Sequence, residues 1–180
     1  KALNACLSTI DGNAKQAKAL RDPLHFTETV YYYLLGRFYY LHRFYEDSAE
    51  ALLEALKAAR KTERLRRNPG VMSVLHLDRA ATLWEQSCDK EVKDAEKDRD
   101  STRQKAGREF EMAVKWSPRN WYVRSARAAY LAMGPQLSVK LARSALIDAK
   151  AAAIFEPQKW EHQYSLGLIQ MRMNELDGAL

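Results

Sequence analysis

Apolar residues recur through most of the chain at the spacing of a helix face, and nowhere do they alternate over a useful length as a strand requires. Tyr32, Leu35 and Tyr39 share one such face. The intervening sequence is rich in Ala, Leu, Glu, Lys and Arg and poor in β-branched residues, which favours helix. The pattern predicts an all-α fold in which short turns join the helices.

The prolines mark the expected interruptions of these helices. Proline has no backbone N–H, and its ring clashes with the preceding turn, so it is poorly tolerated inside a helix. The chain contains Pro23, Pro69, Pro118, Pro135 and Pro157. We therefore expect a helix to end or begin near each of them.

Two short patterns of large and small residues occur more than once. The first places Leu-Gly between large residues, and the second runs Ala, large, Ala, Pro. The first pattern is found at Tyr32, Leu35, Gly36 and Tyr39, with Leu166 and Gly167 in a similar setting. The second is complete at Ala106, Phe110, Ala113 and Pro118, and recurs with a smaller second member at Ala145, Ala149, Ala152 and Pro157. Such recurrence indicates a helical repeat.

Small residues inside these helices have a packing reason. A glycine in mid-helix costs about 1 kcal/mol relative to alanine. Two helices approach closely only where one presents a small residue between larger ones. The sequence therefore predicts helix crossings at Gly36, Ala113 and Gly167, where a leucine would be too large.

These patterns resemble the tetratricopeptide repeat over most of residues 29–180. The resemblance implies a right-handed α-solenoid of antiparallel helical hairpins, a class that holds other proteins rather than catalysing reactions. We expect one such domain with a degraded first hairpin, an elongated third and an incomplete last one, so that either the native protein continues or a partner covers this end. The five predicted hairpins cover 1–25, 29–62, 72–118, 119–157 and 159–180.

The spacing departs from the family between the third hairpin's helices. The surplus is the charged stretch Asp89 to Thr102, which either lengthens both helices or forms a solvated loop. Extension is favoured because its charges can pair at helical spacing. In the next hairpin, Ala126, Ala128 and Ala129 each fit as the small residue of the first helix.

Composition adds limits on function. The 180 residues are 47% hydrophobic and 29% charged, with a net charge of +6, and no apolar run is long enough to span a membrane. The four histidines and two cysteines are scattered. We therefore expect no metal site, no cofactor and no catalytic residues. An intracellular, soluble protein is predicted, with no indication of its compartment.

The aromatic run from Tyr31 to Tyr45 is the most unusual local feature. One interpretation is core packing between neighbouring helices. The other places Tyr33, Arg37 and Tyr40 on the inner surface of the solenoid, where they would bind an extended peptide or a partner's helix. Binding of the acidic carboxy-terminal peptide of chaperones is not expected. Repeats that bind it resemble one another in placing Lys, Asn and Arg at fixed positions of the inner helices, whereas here those places hold Tyr33 and Arg37, then largely Ala and Ser near Ser125 to Ala129.

The one concentrated positive segment is Arg60, Lys61, Arg64, Arg66 and Arg67. It is either a solvated connection or a contact for phosphate or an acidic protein surface, since clustered cations bind polyanions. The sequence thus predicts a protein-interaction scaffold within a larger assembly. The alternative is an RNA-associated subunit of a ribonucleoprotein, bound through this basic surface.

Overall fold

The computed structural model describes residues 14–89, 96–133 and 139–177, and all regular structure within those ranges is helical. The helices are α1 (Ala14–Leu41), α2 (Tyr45–Lys61), α3 (Glu63–Arg66), α4 (Pro69–Cys88), α5 (Glu96–Trp116), α6 (Trp121–Met133), α7 (Val139–Phe155) and α8 (Trp160–Asp177). The all-α prediction is confirmed. The chain divides into two compact units, Lys1–Ala106 and Gly107–Leu180.

In the first unit, α2 packs against both α1 and α4. Ser48, a small buried residue of α2, lies where these three helices meet. The Ser48 hydroxyl donates a hydrogen bond to the Gly36 carbonyl over 2.8 Å and lies 3.3 Å from the Thr82 hydroxyl. Ser48 therefore connects three helices, and the fully buried Leu52 and Met72 contribute to the core of the unit.

The close helix crossing predicted at Gly36 is present. Gly36 is buried, and a Cβ atom placed on it would lie 2.7 Å from Cγ of Leu52. Real Cβ atoms essentially never come that close, so an alanine here would force the Leu52 side chain or the helices to shift.

The turn between α1 and α2 has the hydrogen bonds of a Schellman motif. The N–H of Phe44 donates to the carbonyl of Tyr39 over 3.0 Å, and the N–H of Arg43 donates to that of Tyr40 over 3.1 Å. The rings of Phe44 and Tyr39 make the accompanying apolar contact, with centroids 6.4 Å apart. Arg43 occupies the left-handed position, with φ of 62°.

The interruption expected at Pro23 is wrong. Pro23 lies inside α1, so residues 14–25 belong to the same helix as the first half of the 29–62 hairpin. The Pro23 carbonyl still accepts a hydrogen bond from the Thr27 hydroxyl over 2.9 Å. A proline removes one backbone donor, and a helix as long as α1 keeps its remaining bonds on both sides. The rest of the predicted 1–25 hairpin falls outside the described residues.

Only part of the charged surplus lengthens a helix. The first helix of that hairpin, α4, ends at Cys88, while α5 begins at Glu96 and includes Thr102. The predicted extension is therefore wrong for α4 and present in α5. Residues 90–95 lie outside the described ranges.

In the second unit, α6, α7 and α8 all pack against one another. Their shared core consists mainly of alanines: Ala128, Ala132, Ala142, Ala145, Ala149 and Ile169. Ala128 is fully buried while Ala126 and Ala129 are half-buried, which settles which alanine of α6 packs inward. The Ser125 hydroxyl donates to the Ser165 hydroxyl over 2.8 Å, joining α6 to α8.

The Ala, large, Ala, Pro pattern marks buried helix faces that end in turns. Ala106, Phe110 and Ala113 are buried on α5, and the Phe110 ring lies 5.1 Å from that of Tyr130 on α6. Ala145 and Ala152 are buried on α7. Each helix ends before its proline: Pro118 and Pro157 are exposed in the turns that follow α5 and α7.

The helix crossing predicted at Gly167 is absent from the described residues. Gly167 is exposed on α8, and a Cβ atom there would meet no other atom within 4 Å. The Leu-Gly pattern does not itself specify a crossing, because the opposing helix must be present to make one. Among the described helices, none combines the length and apolar character needed to cross a bilayer.

Candidate partner-binding groove

A groove of about 380 Å³ lies between α1 and α4 in the first unit. Its walls come from one face of each helix, since the contributing positions are spaced by three and four residues. The groove is lined by Phe26, Thr29, Val30, Tyr33, Leu65, Gly70, Val71, Val74 and Leu75. Except for Thr29 and the hydroxyl of Tyr33, these side chains are apolar.

The start of α4 is fixed beside this groove by its own sequence. Asn68 caps the helix, its side-chain oxygen accepting a hydrogen bond from the N–H of Val71 over 3.2 Å. Pro69 follows at the first helical turn, where its missing N–H costs nothing. The short helix α3 places Leu65 against the groove, so the connection between α2 and α4 forms part of its wall.

The groove has a buried floor and an open rim. Leu65 and Leu75 are almost fully buried. Phe26, Val30 and Val74 remain 41–45% exposed. Burying such apolar surface against a partner contributes about 25 cal/mol per Å², so the rim provides free energy for association.

A polar cluster lies one turn beyond the groove on both helices. The hydroxyl of Tyr33 lies close enough to the carboxylate of Asp78 for each group to shift the pKa of the other. A guanidinium nitrogen of Arg37 forms a longer ion pair with the same carboxylate, 3.5 Å from Oδ2. The guanidinium also lies 5.8 Å from the centre of the Tyr40 ring, within range of a cation–π contact. The structure thus brings Tyr33 and Arg37 together beside Asp78, with the Tyr40 ring next to Arg37.

Burial governs the acidity of this cluster. Removal from solvent raises the pKa of Asp78, and the charge of Arg37 together with the nearby Tyr33 hydroxyl opposes that rise. Burial likewise raises the pKa of the Tyr33 phenol, with the negative charge of Asp78 adding to it. The cluster is therefore a partly desolvated ion pair at the end of an apolar groove.

Part of the aromatic run is packed as the core interpretation expects. Tyr32, Tyr39 and Tyr45 are half-buried, as core packing requires. Tyr31 and Phe38, however, are more than half exposed. They belong to an exposed face of α1 outside the groove, on which Leu34 and Leu41 also lie.

The basic segment borders the groove. All five of its residues are exposed: Arg60, Lys61, Arg64, Arg66 and Arg67. Arg64 and Arg66 flank Leu65, whose side chain lines the groove. Arg67 pairs with Glu63 over 2.8 Å on the exposed surface.

A buried ionic network in the second unit was not anticipated from the sequence. Asp148 on α7 is almost fully buried and pairs with both Arg124 and Arg127 of α6. Arg127 also reaches Glu111 of α5 over 2.6 Å. The sequence did contain a sign of this network. Asp148 lies on the same helical face as the apolar Ala145, and a carboxylate buried on such a face needs a cationic partner.

No group of three side chains suited to hold a metal ion occurs within the described ranges. Comparisons of the chain with protein-family models, with curated proteins and with solved structures found no match.

Proposed function

We propose that this chain is a non-catalytic scaffold, a helical-repeat subunit of a larger protein assembly that holds a partner protein in the groove between α1 and α4. The observation that carries the proposal is the groove itself, an open apolar channel with a polar cluster at one end. Protein ligands are recognised by this combination, in which apolar surface provides affinity and a few polar groups fix orientation. The Tyr and Arg side chains beside it are types favoured at binding hot spots.

The same proposal includes a right-handed solenoid of tetratricopeptide-like antiparallel hairpins. Its support is the small-residue contact that recurs between helices. Ser48 bonds to the carbonyl of Gly36 in the first unit, and Ser125 bonds to Ser165 in the second. Stacked hairpins expose long surfaces, which suits a scaffold.

Purification of the tagged full-length protein from its native cells tests the groove. Val74→Glu places a charge on the rim and should release the bound partners that mass spectrometry identifies with the parent protein, because a buried unpaired carboxylate opposes association. Leu41→Glu is the matched control, since Leu41 is 72% exposed and does not line the groove.

Circular dichroism must show unchanged helicity in both variants. Retention of every partner by a folded Val74→Glu protein would contradict the proposal. Loss of the same partners from Leu41→Glu would move the binding surface to the exposed face of α1.

A further inference from the structure

The apolar groove lies next to the basic segment, and this position indicates which kind of ligand the groove binds. Leu65 lines the groove and stands between two exposed arginines, Arg64 and Arg66. Gly70 and Val71 line the same end and follow the basic segment directly. An occupant of the groove therefore lies within reach of these long cationic side chains.

The cations at this border are available to a ligand. Within the described ranges, Arg60, Lys61, Arg64 and Arg66 form no ion pair with a carboxylate. At the other end of the groove the negative charge of Asp78 is already paired with Arg37. Among the described residues, the unpaired positive charge that borders the groove therefore lies at the end formed by the basic segment.

We propose that the groove binds an acidic amphipathic segment of a partner protein. A bulky apolar side chain of the segment lies among Val30, Val74 and Leu75, and its carboxylates lie against Arg64 and Arg66. This inference rests on the proposed function and adds the chemistry of the partner. Bidentate pairing of arginine with a carboxylate gives such a contact its orientation.

The lining of the groove favours a protein segment over RNA. Single-stranded RNA is held by aromatic platforms on which bases stack, together with cations that follow the backbone. Here the rim and floor are mostly aliphatic, with Val30, Val71, Val74 and Leu75 and only Phe26 and Tyr33 as rings. Aliphatic side chains of a protein fill such a volume, whereas a nucleotide would bury polar edges without partners.

Fluorescence anisotropy with the full-length chain tests the inference. The probe is a labelled synthetic peptide with Leu and Phe anchors among Asp and Glu residues. Two matched peptides replace either the acids by Asn and Gln or the anchors by Ala, and a labelled oligouridine serves as the RNA probe. We expect the acidic, apolar peptide to bind at least roughly tenfold more tightly than either matched peptide, and its affinity to fall as salt rises.

Charge reversal locates the contact. Arg64→Glu with Arg66→Glu should reduce affinity for the acidic peptide by roughly tenfold or more, since charges of like sign then face each other. The control is Lys57→Glu with Arg108→Glu, which changes net charge equally at two exposed positions outside the groove. Val74→Glu should abolish binding of the peptide through the apolar site.

Three results would overturn the inference. The first is equal binding of the acidic and neutral peptides, and the second is unchanged affinity after reversal of Arg64 and Arg66. The third is tight binding of oligouridine that the acidic peptide does not displace. Any of these results would reject an acidic segment as the ligand of the groove. The scaffold proposal would still be supported if Val74→Glu releases the native partners.

Discussion

Gly36 and Gly167 both stand in the middle of a helix, but their surroundings differ. Gly36→Ala should lower the free energy of unfolding by about 1–3 kcal/mol, because the new Cβ would meet Leu52 at 2.7 Å. Gly167→Ala should raise it by about 0.5–1 kcal/mol, because the added methyl meets nothing and alanine is the better helix former. Urea denaturation of the three proteins measures both changes.

A second variant checks the cause of the effect at Gly36. Leu52→Ala removes the atom that the new Cβ meets, so the loss caused by Gly36→Ala should shrink when both changes are combined. Fully additive losses would show that the contact with Leu52 is not responsible.

Arg43 is a non-glycine residue in the left-handed conformation that a Schellman turn requires. A Cβ in this region costs roughly 1–2 kcal/mol relative to glycine. Arg43→Gly should therefore stabilise the protein by about 1 kcal/mol, measured by thermal or urea unfolding. Arg43→Val, with a branched Cβ, should destabilise it. Equal stability of the two variants would contradict the turn geometry.

Asp78 should make stability depend on pH. Its folded pKa is raised above the ordinary 3.8, so the folded state binds the proton more tightly than the unfolded chain does. The parent therefore loses stability relative to Asp78→Asn as pH rises through the window from 3.8 to the raised pKa, and the difference then stays constant. Denaturation of both proteins between about pH 4 and pH 7 measures this difference. If the stability of the two proteins changes with pH in parallel, the pKa of Asp78 is the same in the folded and unfolded states, which would contradict this prediction.

At the scale of elements, Asp148 joins α7 to α6 through Arg124 and Arg127. Asp148→Ala removes the buried carboxylate and leaves the buried guanidinium of Arg127 paired with the exposed Glu111 alone, so it should destabilise the protein by about 3–5 kcal/mol. Glu111→Ala is the comparison, because Glu111 pairs with the same Arg127 but its side chain is 63% exposed, and its loss should cost about 0–1 kcal/mol. Equal costs in urea denaturation would show that burial does not control the network.

The local spacing of apolar residues predicted the helices. It could not predict the features that depend on contacts between residues far apart in the sequence. The Leu-Gly pattern located Gly36 correctly because its opposing helix follows directly along the chain. The groove joins Val30 to Val74, and the buried network joins Arg127 to Asp148. Periodicity assigns a residue to a face of its own helix and contains no information on which other helix covers that face.

At the scale of the whole molecule, the proposed helical-repeat organisation can be tested by comparing the two compact units, Lys1–Ala106 and Gly107–Leu180. In a stacked repeat each helix is stabilised by its neighbours, so a local defect weakens nearby helices most and distant ones least. Gly36→Ala should therefore speed amide hydrogen exchange in α1, α2 and α4 and leave α7 and α8 nearly unchanged. Asp148→Ala should instead speed exchange in α7 and α8 and leave α1, α2 and α4 nearly unchanged.

Mass-spectrometric hydrogen exchange under native conditions resolves these helices separately. Each loss of about 1.4 kcal/mol in local opening free energy raises the exchange rate roughly tenfold, so the predicted defects are easily measured. In α5 we expect an intermediate response to both substitutions, since it contributes Ala106 to one unit and Phe110 to the other. Equal acceleration from α1 to α8 in either variant would identify a single cooperative domain, because its helices can only unfold together.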